Sequence, residues 1–491
     1  MLGLSLAMVN LSLYVYLVSH LNWVGMPSLV LSSLFFLTST FFLTWNLGYA
    51  YSIHRRSRRP NNVQDSILET FPSVSIVVPV YRESINVLSA MVEGFVKIDY
   101  PASALDMYVC DDSDDPAQRA AASTVCLEKG GDRVHYCTRA SRRGFKAGAI
   151  NDVLPRITSK YSIMLDVDHV PQPDMVRRLV SAKLNSQADF LMFPQYFRNE
   201  DENSVTASSS LKQLVDYRID RLGRCVTNSA FCVTTNWIVE TESLRGLGGL
   251  DESTVTEDLA TGLIAHSKGF KIDLIDEKLA LGLAPNTLES WRRQQYRWSS
   301  GTFKVAKTIF PKAWPRLTWH QRMDYTLSIS WYLCGLFTFF LYIFPISTAL
   351  GVKFFRYDSL PEFLSLTMSL IALSWLLTSY PVYLESRSIR KTLVAQAASL
   401  ALGDVYVKAL ISSLRRKKQL FSVTRKDGKG RIGPGSALRS LRFHFFFVAL
   451  GAAVALHSMV TNQSLASMVN VGWIWYNNLW VIVSALILGR N

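Results

Sequence analysis

Cysteine is scarce in this chain, and charge is missing from long stretches of it. The six cysteines among 491 residues form no CxxC pair and show no metal-ligand spacing. That argues against a cysteine-held metal and for reduced thiols facing a cytosol. There is no internal repeat and no long low-complexity segment, so neither a solenoid nor a disordered scaffold is indicated. The apolar N-terminus lacks a small-residue cleavage site and is followed by a second apolar run. It therefore reads as a retained membrane helix and not as a removed signal.

What is abundant is apolar sequence. Hydrophobic residues make up 49% of the chain, and they concentrate at its two ends. A spanning helix needs about 20 mostly apolar residues, and six stretches qualify: 2–20, 27–50, 328–351, 363–384, 440–461 and 467–488. The first two are joined only by "HLNWVGMPS" and form a hairpin. No acidic or strongly basic residue lies deep in these six spans, which argues against an ion or polysaccharide transporter carrying a degenerate soluble domain. The net charge of +14 is read as cytosolic loops flanking spans, with no nucleic-acid partner. "HRRSRRP" and "LRRKKQLFSVTRKDGKGR" then both lie in the cytosol, as do both termini and the region between residues 51 and 325. The expected product is a multi-pass protein of the plasma (inner) membrane, with the lipid bilayer as a partner.

Between the spans, "SVSIVVPV", "LDMYVCDD" and "YSIMLDVD" are short β-branched runs that each end in polar residues. Helical spacing separates them, so a mostly parallel, doubly wound α/β sheet is predicted over residues 72–285. Ligands of such sheets bind beyond the carboxyl ends of the strands, which is where the acids fall. The remaining divisions are an N-terminal transmembrane hairpin (1–52), a basic linker (53–71), interfacial helices (286–325), a transmembrane pair (326–386), an interfacial helix with a basic loop (387–438) and a C-terminal pair (439–491). The stretch around Asp404 and Lys408 is read as interfacial, because a seventh span would break the charge rule.

Asp166 and Asp168 end an apolar strand one residue apart. Two such carboxylates disfavour each other unless a cation lies between them, and oxygen ligands with few other donors suit Mg2+ or Mn2+. Glu257 and Asp258 follow Thr256 in what reads as the first turn of a helix. An acidic first turn is ordinary capping, and a carboxylate at a pocket rim is equally a general base. "QQYRW" sets Arg297 beside Trp298, a phosphate-binding guanidinium next to a flat face on which a sugar could stack. Lys146 lies among small residues in "RRGFKAGAIND", suited to a phosphate or base contact. Positive-inside charge explains the basic residues near Phe421 but not Phe421, Val423 and Thr424 themselves.

Taken in order, "PVYRE", "CDDS", "FKAGAIN", "DVDHVP", "FCVTTN", "VTEDLATG", "QQYRW" and "FSVTRKDG" resemble the membrane-bound family-2 glycosyltransferases, in particular the catalytic subunit of bacterial cellulose synthase and its β-glucan synthase relatives. The resemblance implies a GT-A (Rossmann-like) cytosolic glycosyltransferase domain on an α-helical transmembrane domain of about six spans with interfacial helices. The implied activity is processive, inverting transfer from UDP-glucose to a growing β-glucan that crosses the membrane. Tyr81, Glu83 and Asp112 would hold the uridine, with Asp111 the weaker alternative. Lys146 would lie near the nucleotide, Asp166 and Asp168 would bind the metal with His169 beside it, and Phe231 and Cys232 would line the acceptor position. Asp258, with Glu257, would be the catalytic carboxylate. Gln294 and Arg297 would contact diphosphate or sugar, and Trp298 would stack under the acceptor. Phe421, Val423, Thr424 and Lys426 match a gating loop.

The sequence departs from that pattern in three ways. It ends after the last span without a cyclic-dinucleotide-binding domain, so regulation by that messenger in cis is not expected. Asn286 replaces a frequent glutamate. Six spans are also few, so a smaller channel or one built by oligomerisation is expected, with accessory subunits or a homo-oligomer as candidate partners. Rival readings are a chitin- or hyaluronan-type synthase using UDP-N-acetylglucosamine and a non-processive lipid glycosyltransferase.

Overall fold

The structure is a computed structural model describing residues 2–59, 68–232, 235–353, 355–356, 359–415, 434–461 and 465–489. Phe421, Val423, Thr424 and Lys426 lie outside the described residues.

The α/β domain is built on a seven-stranded sheet in the order β3-β2-β1-β4-β8-β6-β9. Its strands are β1 (Val74–Val80), β2 (Leu105–Asp111), β3 (Val134–Thr138), β4 (Tyr161–Met164), β6 (Phe190–Met192), β8 (Trp237–Glu240) and β9 (Ile272–Leu274). β1 is central and reads VSIVVPV, with six of its seven residues buried, as a strand covered on both faces demands. It pairs in parallel with β2 and β4. The predicted parallel sheet holds on this side, while β8 runs antiparallel to both β4 and β6. The three predicted strands therefore end at one edge, delivering Tyr81, Asp111–Asp112 and Asp166–Asp168 together. A smaller ribbon of β5 (Val170–Pro171), β10 (Ala280–Gly282) and β7 (Tyr196–Phe197) folds over that edge.

Among the described residues, six helical stretches are long and apolar enough to cross a membrane: Met26–Ser57, Trp319–Ala349, Leu360–Ser386, Ile389–Leu414, Arg442–Thr461 and Met468–Leu488. The count matches the expectation, but the membership differs. The first expected span is the 18-residue helix Leu2–Ser19, which packs on the second and on Leu360–Ser386. The stretch 389–414 qualifies by composition, yet it breaks at Ala401–Leu402 into helices Ile389–Leu400 and Gly403–Leu414, of 12 residues each. Each is about 18 Å long, short of the roughly 30 Å hydrocarbon core.

Buried polar contacts tie helix Met26–Ser57 to helix Trp319–Ser330 and to the sheet domain. Arg55, near the end of helix Met26–Ser57, donates to both carboxylate oxygens of Asp324 at 2.7 and 3.0 Å. Ser52 donates to Asp220 at 2.9 Å. Gly223 lets the backbones approach, since a Cβ there would lie 2.4 Å from the Ser52 carbonyl oxygen. Removing one partner of a buried pair strands a charge, so these contacts hold one docking geometry.

Candidate active site

One cavity at the carboxyl edge of the sheet is lined by Tyr81, Glu83, Asp112, Lys146, Asp166, Asp168, His169, Glu257, Asp258, Gln294, Arg297 and Trp298. Residues from six separate motifs thus share one space. Of the two adjacent acids after β2, Asp112 faces this cavity. Asp111 turns away from it, accepting from the Tyr136 hydroxyl at 2.7 Å and the Ser113 amide at 2.8 Å.

Asp166, Asp168 and His169 each offer a ligand atom within 4.8 Å of the others. Asp168 Oδ2 accepts from the Leu283 amide at 2.8 Å, and Lys146 Nζ donates to Asp166. His169 is 2% exposed, and neither of its ring nitrogens makes a hydrogen bond among the described residues. A buried imidazole that makes no hydrogen bond, its Nδ1 3.6 Å from Asp168 Oδ1, suits a cation better than it suits a dry core. Gly282 makes room for it: a Cβ there would lie 2.5 Å from His169 Nε2. Two carboxylates and one imidazole fit a divalent ion that keeps open positions for phosphate oxygens.

Opposite, helix Glu257–Ser267 presents its first turn to the cavity. Thr256 is the N-cap residue as expected, but its side chain makes no capping bond. Asp258 Oδ1 accepts from the Leu259 amide at 2.7 Å. Glu257 is buried, and its carboxyl is pushed up to about 7, first by burial and then by the charge of Asp258. Two adjacent carboxyls held in different environments can divide acid and base roles.

The helix Leu288–Thr308 closes the third side and carries Gln294, Arg297 and Trp298. On its apolar side Trp291 shares a buried cluster with Leu402 and Tyr406. Phe231 and Cys232 do not line the cavity. They pack against the Asp258 helix, where Gly262 allows close approach to Phe231 and the Cys232 amide. Arg221 stacks 4.1 Å from the Phe231 ring centre and donates to its carbonyl at 2.7 Å. Burial, then Asp258, raises the Cys232 thiol pKa. Asn286 is buried and accepts from Asn203 through its carbonyl at 3.0 Å.

Four polar residues of the cavity wall were missed in the sequence. Arg142 stacks on Tyr81 with its guanidinium carbon 3.2 Å from the ring centre. Gln195, Ser209 and Gln213 line the floor. Behind the wall, Arg139 grips Asp112 through two bonds of 2.6 and 2.7 Å. Only the "RRG" before Lys146 hinted at a cationic rim.

Residues 72–301 match the family described as Glycosyltransferase like family 2. The chain is 25% identical over 471 residues to Putative cellulose synthase 2 of Komagataeibacter xylinus, an alignment covering 91% of this chain and 29% of that protein. It is 26% identical over 284 residues to the UDP-forming cellulose synthase catalytic subunit of Xanthomonas axonopodis pv. citri, covering 57% and 38% respectively. The chain thus spans well under half the length of these curated relatives. Among solved structures, the mannosyltransferase PcManGT from Pyrobaculum calidifontis in complex with GDP-Man and Mn2+ superposes with a TM-score of 0.56 at 14% identity, covering 80% of this chain and 100% of that one. That likeness is one of fold: a GT-A domain, here joined to a helical transmembrane region.

Proposed function

We propose that the chain, whose residues 72–301 match a family-2 glycosyltransferase model and which is 25% identical to a cellulose synthase relative, elongates a β-linked glucan from UDP-glucose and passes it across the membrane. The observation that carries this reading is the shared cavity, in which paired aspartates, a second acidic pair and an arginine–tryptophan helix face one space.

Tyr81, Glu83 and Asp112 hold the nucleoside, with Arg142 stacked on Tyr81 as a cationic backing. Asp166, Asp168 and His169 hold a divalent cation, Mg2+ or Mn2+, which when bound offsets the charge of the donor diphosphate. Arg297 and Gln294 meet the same diphosphate from the opposite wall, and Lys146 adds a cation beside Asp166. Fixed donors aimed at growing charge are usually the largest catalytic contribution. Asp258 takes the proton from an acceptor hydroxyl, which attacks the anomeric carbon from the face opposite the leaving UDP. One displacement inverts an α-linked donor to a β-linked product without a carboxylate nucleophile. Trp298 offers a flat face for the acceptor sugar. Phe421, Val423, Thr424 and Lys426 are assigned to closure over the nucleotide on their motif alone. The catalytic domain and both termini are assigned to the cytoplasm on the charge of the flanking loops.

The test is incubation of the purified protein in membrane vesicles with separate UDP-sugars. UDP release is followed, and the product is digested with linkage-specific glycosidases. UDP release with a β-glucanase-sensitive polymer from UDP-glucose is expected. Release from UDP-N-acetylglucosamine alone would replace glucan with an aminosugar polymer, and no release from any donor would end the enzymatic reading.

A further inference from the structure

The helix Leu288–Thr308 has two working faces. At about 100° per residue, Gln294, Arg297, Trp298 and Gly301 fall on one side, towards the catalytic cavity. Arg292, Gln295 and Ser299 fall on roughly the opposite side, against helix Gly403–Leu414.

That second face is tied by polar contacts of unusual density. Arg292 donates through both terminal nitrogens to the two oxygens of Asp404, at 2.8 Å each, and also to the Ala401 carbonyl. The Asp404 side chain is 4% exposed and accepts a further bond from Lys408 at 2.7 Å. Three residues along, the Tyr406 hydroxyl donates to Gln295 at 2.9 Å. At the far end Lys307 donates to the Ser413 carbonyl at 2.9 Å. Helix Gly403–Leu414 is itself wedged against the helix Cys334–Ala349, because a Cβ on Gly335 would lie 2.4 Å from the Gly403 carbonyl oxygen. A strut with defined length and register therefore connects the membrane region to the back of the helix whose front meets the reactants.

We propose that Arg292 and Asp404 are positioning residues: their buried bidentate pair sets the placement of Gln294, Arg297 and Trp298 relative to Asp258, and so governs turnover without touching the substrate. A planar guanidinium fork fixes both distance and orientation, which a lysine ammonium cannot do. Asp404, an acid in an otherwise apolar stretch, thereby has a function. This inference rests on the reading of the cavity as a transferase site, but not on which UDP-sugar it uses.

The experiment compares Arg292→Lys, Asp404→Asn, the Arg292→Met/Asp404→Met pair and Tyr406→Phe with the wild-type full chain in vesicles. It reads UDP release, donor KM and UDP affinity by calorimetry. Arg292→Lys and Asp404→Asn are expected to lose at least ~10-fold in kcat, with a smaller loss of donor and UDP affinity, because Gln294 and Arg297 shift on the diphosphate while the sheet side of the site is untouched. Replacing both partners by apolar residues often restores stability. The Met pair should therefore recover yield and thermal midpoint while kcat stays low. If the pair only braces the fold, kcat returns with stability, and that result overturns the proposal. Should the charged variants fail to fold, Tyr406→Phe removes one neutral hydrogen bond and is expected to lower kcat about 3-fold; unchanged kcat there also counts against positioning. Wild-type turnover of a different donor would sink the glucan reading and leave these variant-to-wild-type ratios standing.

Discussion

Gly301 lies against Thr256 so closely that a Cβ at position 301 would sit 2.5 Å from Thr256 Cγ2 and 2.6 Å from its Oγ1. Thr256 is the residue immediately before Glu257 and Asp258, and Gly301 is one helical turn beyond Arg297 and Trp298. This contact therefore sets the gap between the acid and the residues that face it. Gly301→Ala is expected to push the two helices apart and lower kcat by about 10- to 100-fold, the cost of a misplacement near 1 Å. Steady-state kinetics should show donor KM little changed. Pairing it with Thr256→Ala removes both clashing atoms, and partial recovery of kcat in the double variant checks that the clash, and not general instability, is responsible.

Asp258→Asn keeps the size of the side chain and removes the proton acceptor. Loss of general-base catalysis costs about 10²- to 10⁴-fold in rate, so polymer synthesis should vanish while UDP binding by calorimetry stays close to wild type. Measurable elongation at wild-type rates would exclude Asp258 as the base.

His169 supplies a test of the cation site that does not depend on turnover. Asp168→Ala should abolish the metal dependence of UDP affinity, measured by calorimetry with Mn2+ and again with a chelator. Gly282→Ala leaves every candidate ligand in place but drives a methyl group into the imidazole ring. Displacing the support of a ligand typically costs about 10- to 100-fold in metal affinity, so an intermediate loss is expected. Unaltered metal affinity in both variants would remove the three residues from the role.

The parts of this arrangement that were legible in sequence share a physical basis. "SIVVPV", "MYVCDD" and "SIMLDVD" each announce a buried strand ending in acids, and parallel strands must end on one edge, so Tyr81, Asp112, Asp166 and Asp168 could be placed together before any coordinates. What stayed hidden depends on tertiary closure. Gln195 sits in the short connection between β6 and β7 and Gln213 in helix Ser204–Val215, and nothing in the sequence sets Arg142, which stacks on Tyr81, apart from its neighbouring arginines. The helix Leu288–Thr308 has the aromatic–basic mixture of a surface helix. Apolar periodicity reports that a face is covered but not by which element, and one partner here is helix Gly403–Leu414. Phe231 and Cys232, placed at the acceptor through their motif, pack against Gly262 of the Asp258 helix.

Glu257 makes the ligand-free protein sensitive to pH in a defined direction. Burial, and then the neighbouring Asp258, raise its carboxyl from 4.5 to about 7. A group whose folded pKa lies above its unfolded one contributes stability that is complete below the unfolded value and is lost as pH rises through the folded value. The contribution is therefore full below about 4.5 and fades through about 7. Thermal midpoints in detergent should fall between pH 6 and pH 8. The isosteric Glu257→Gln, which cannot ionise, should flatten that fall, the difference amounting to about 1–3 kcal/mol. The same ionisation adds negative charge to a cavity that must take a diphosphate, so donor KM should rise above pH 7 in the wild type and not in the glutamine variant. Parallel pH profiles for the two proteins between pH 5.5 and 8.5, in both midpoint and KM, would show that Glu257 does not titrate in this range.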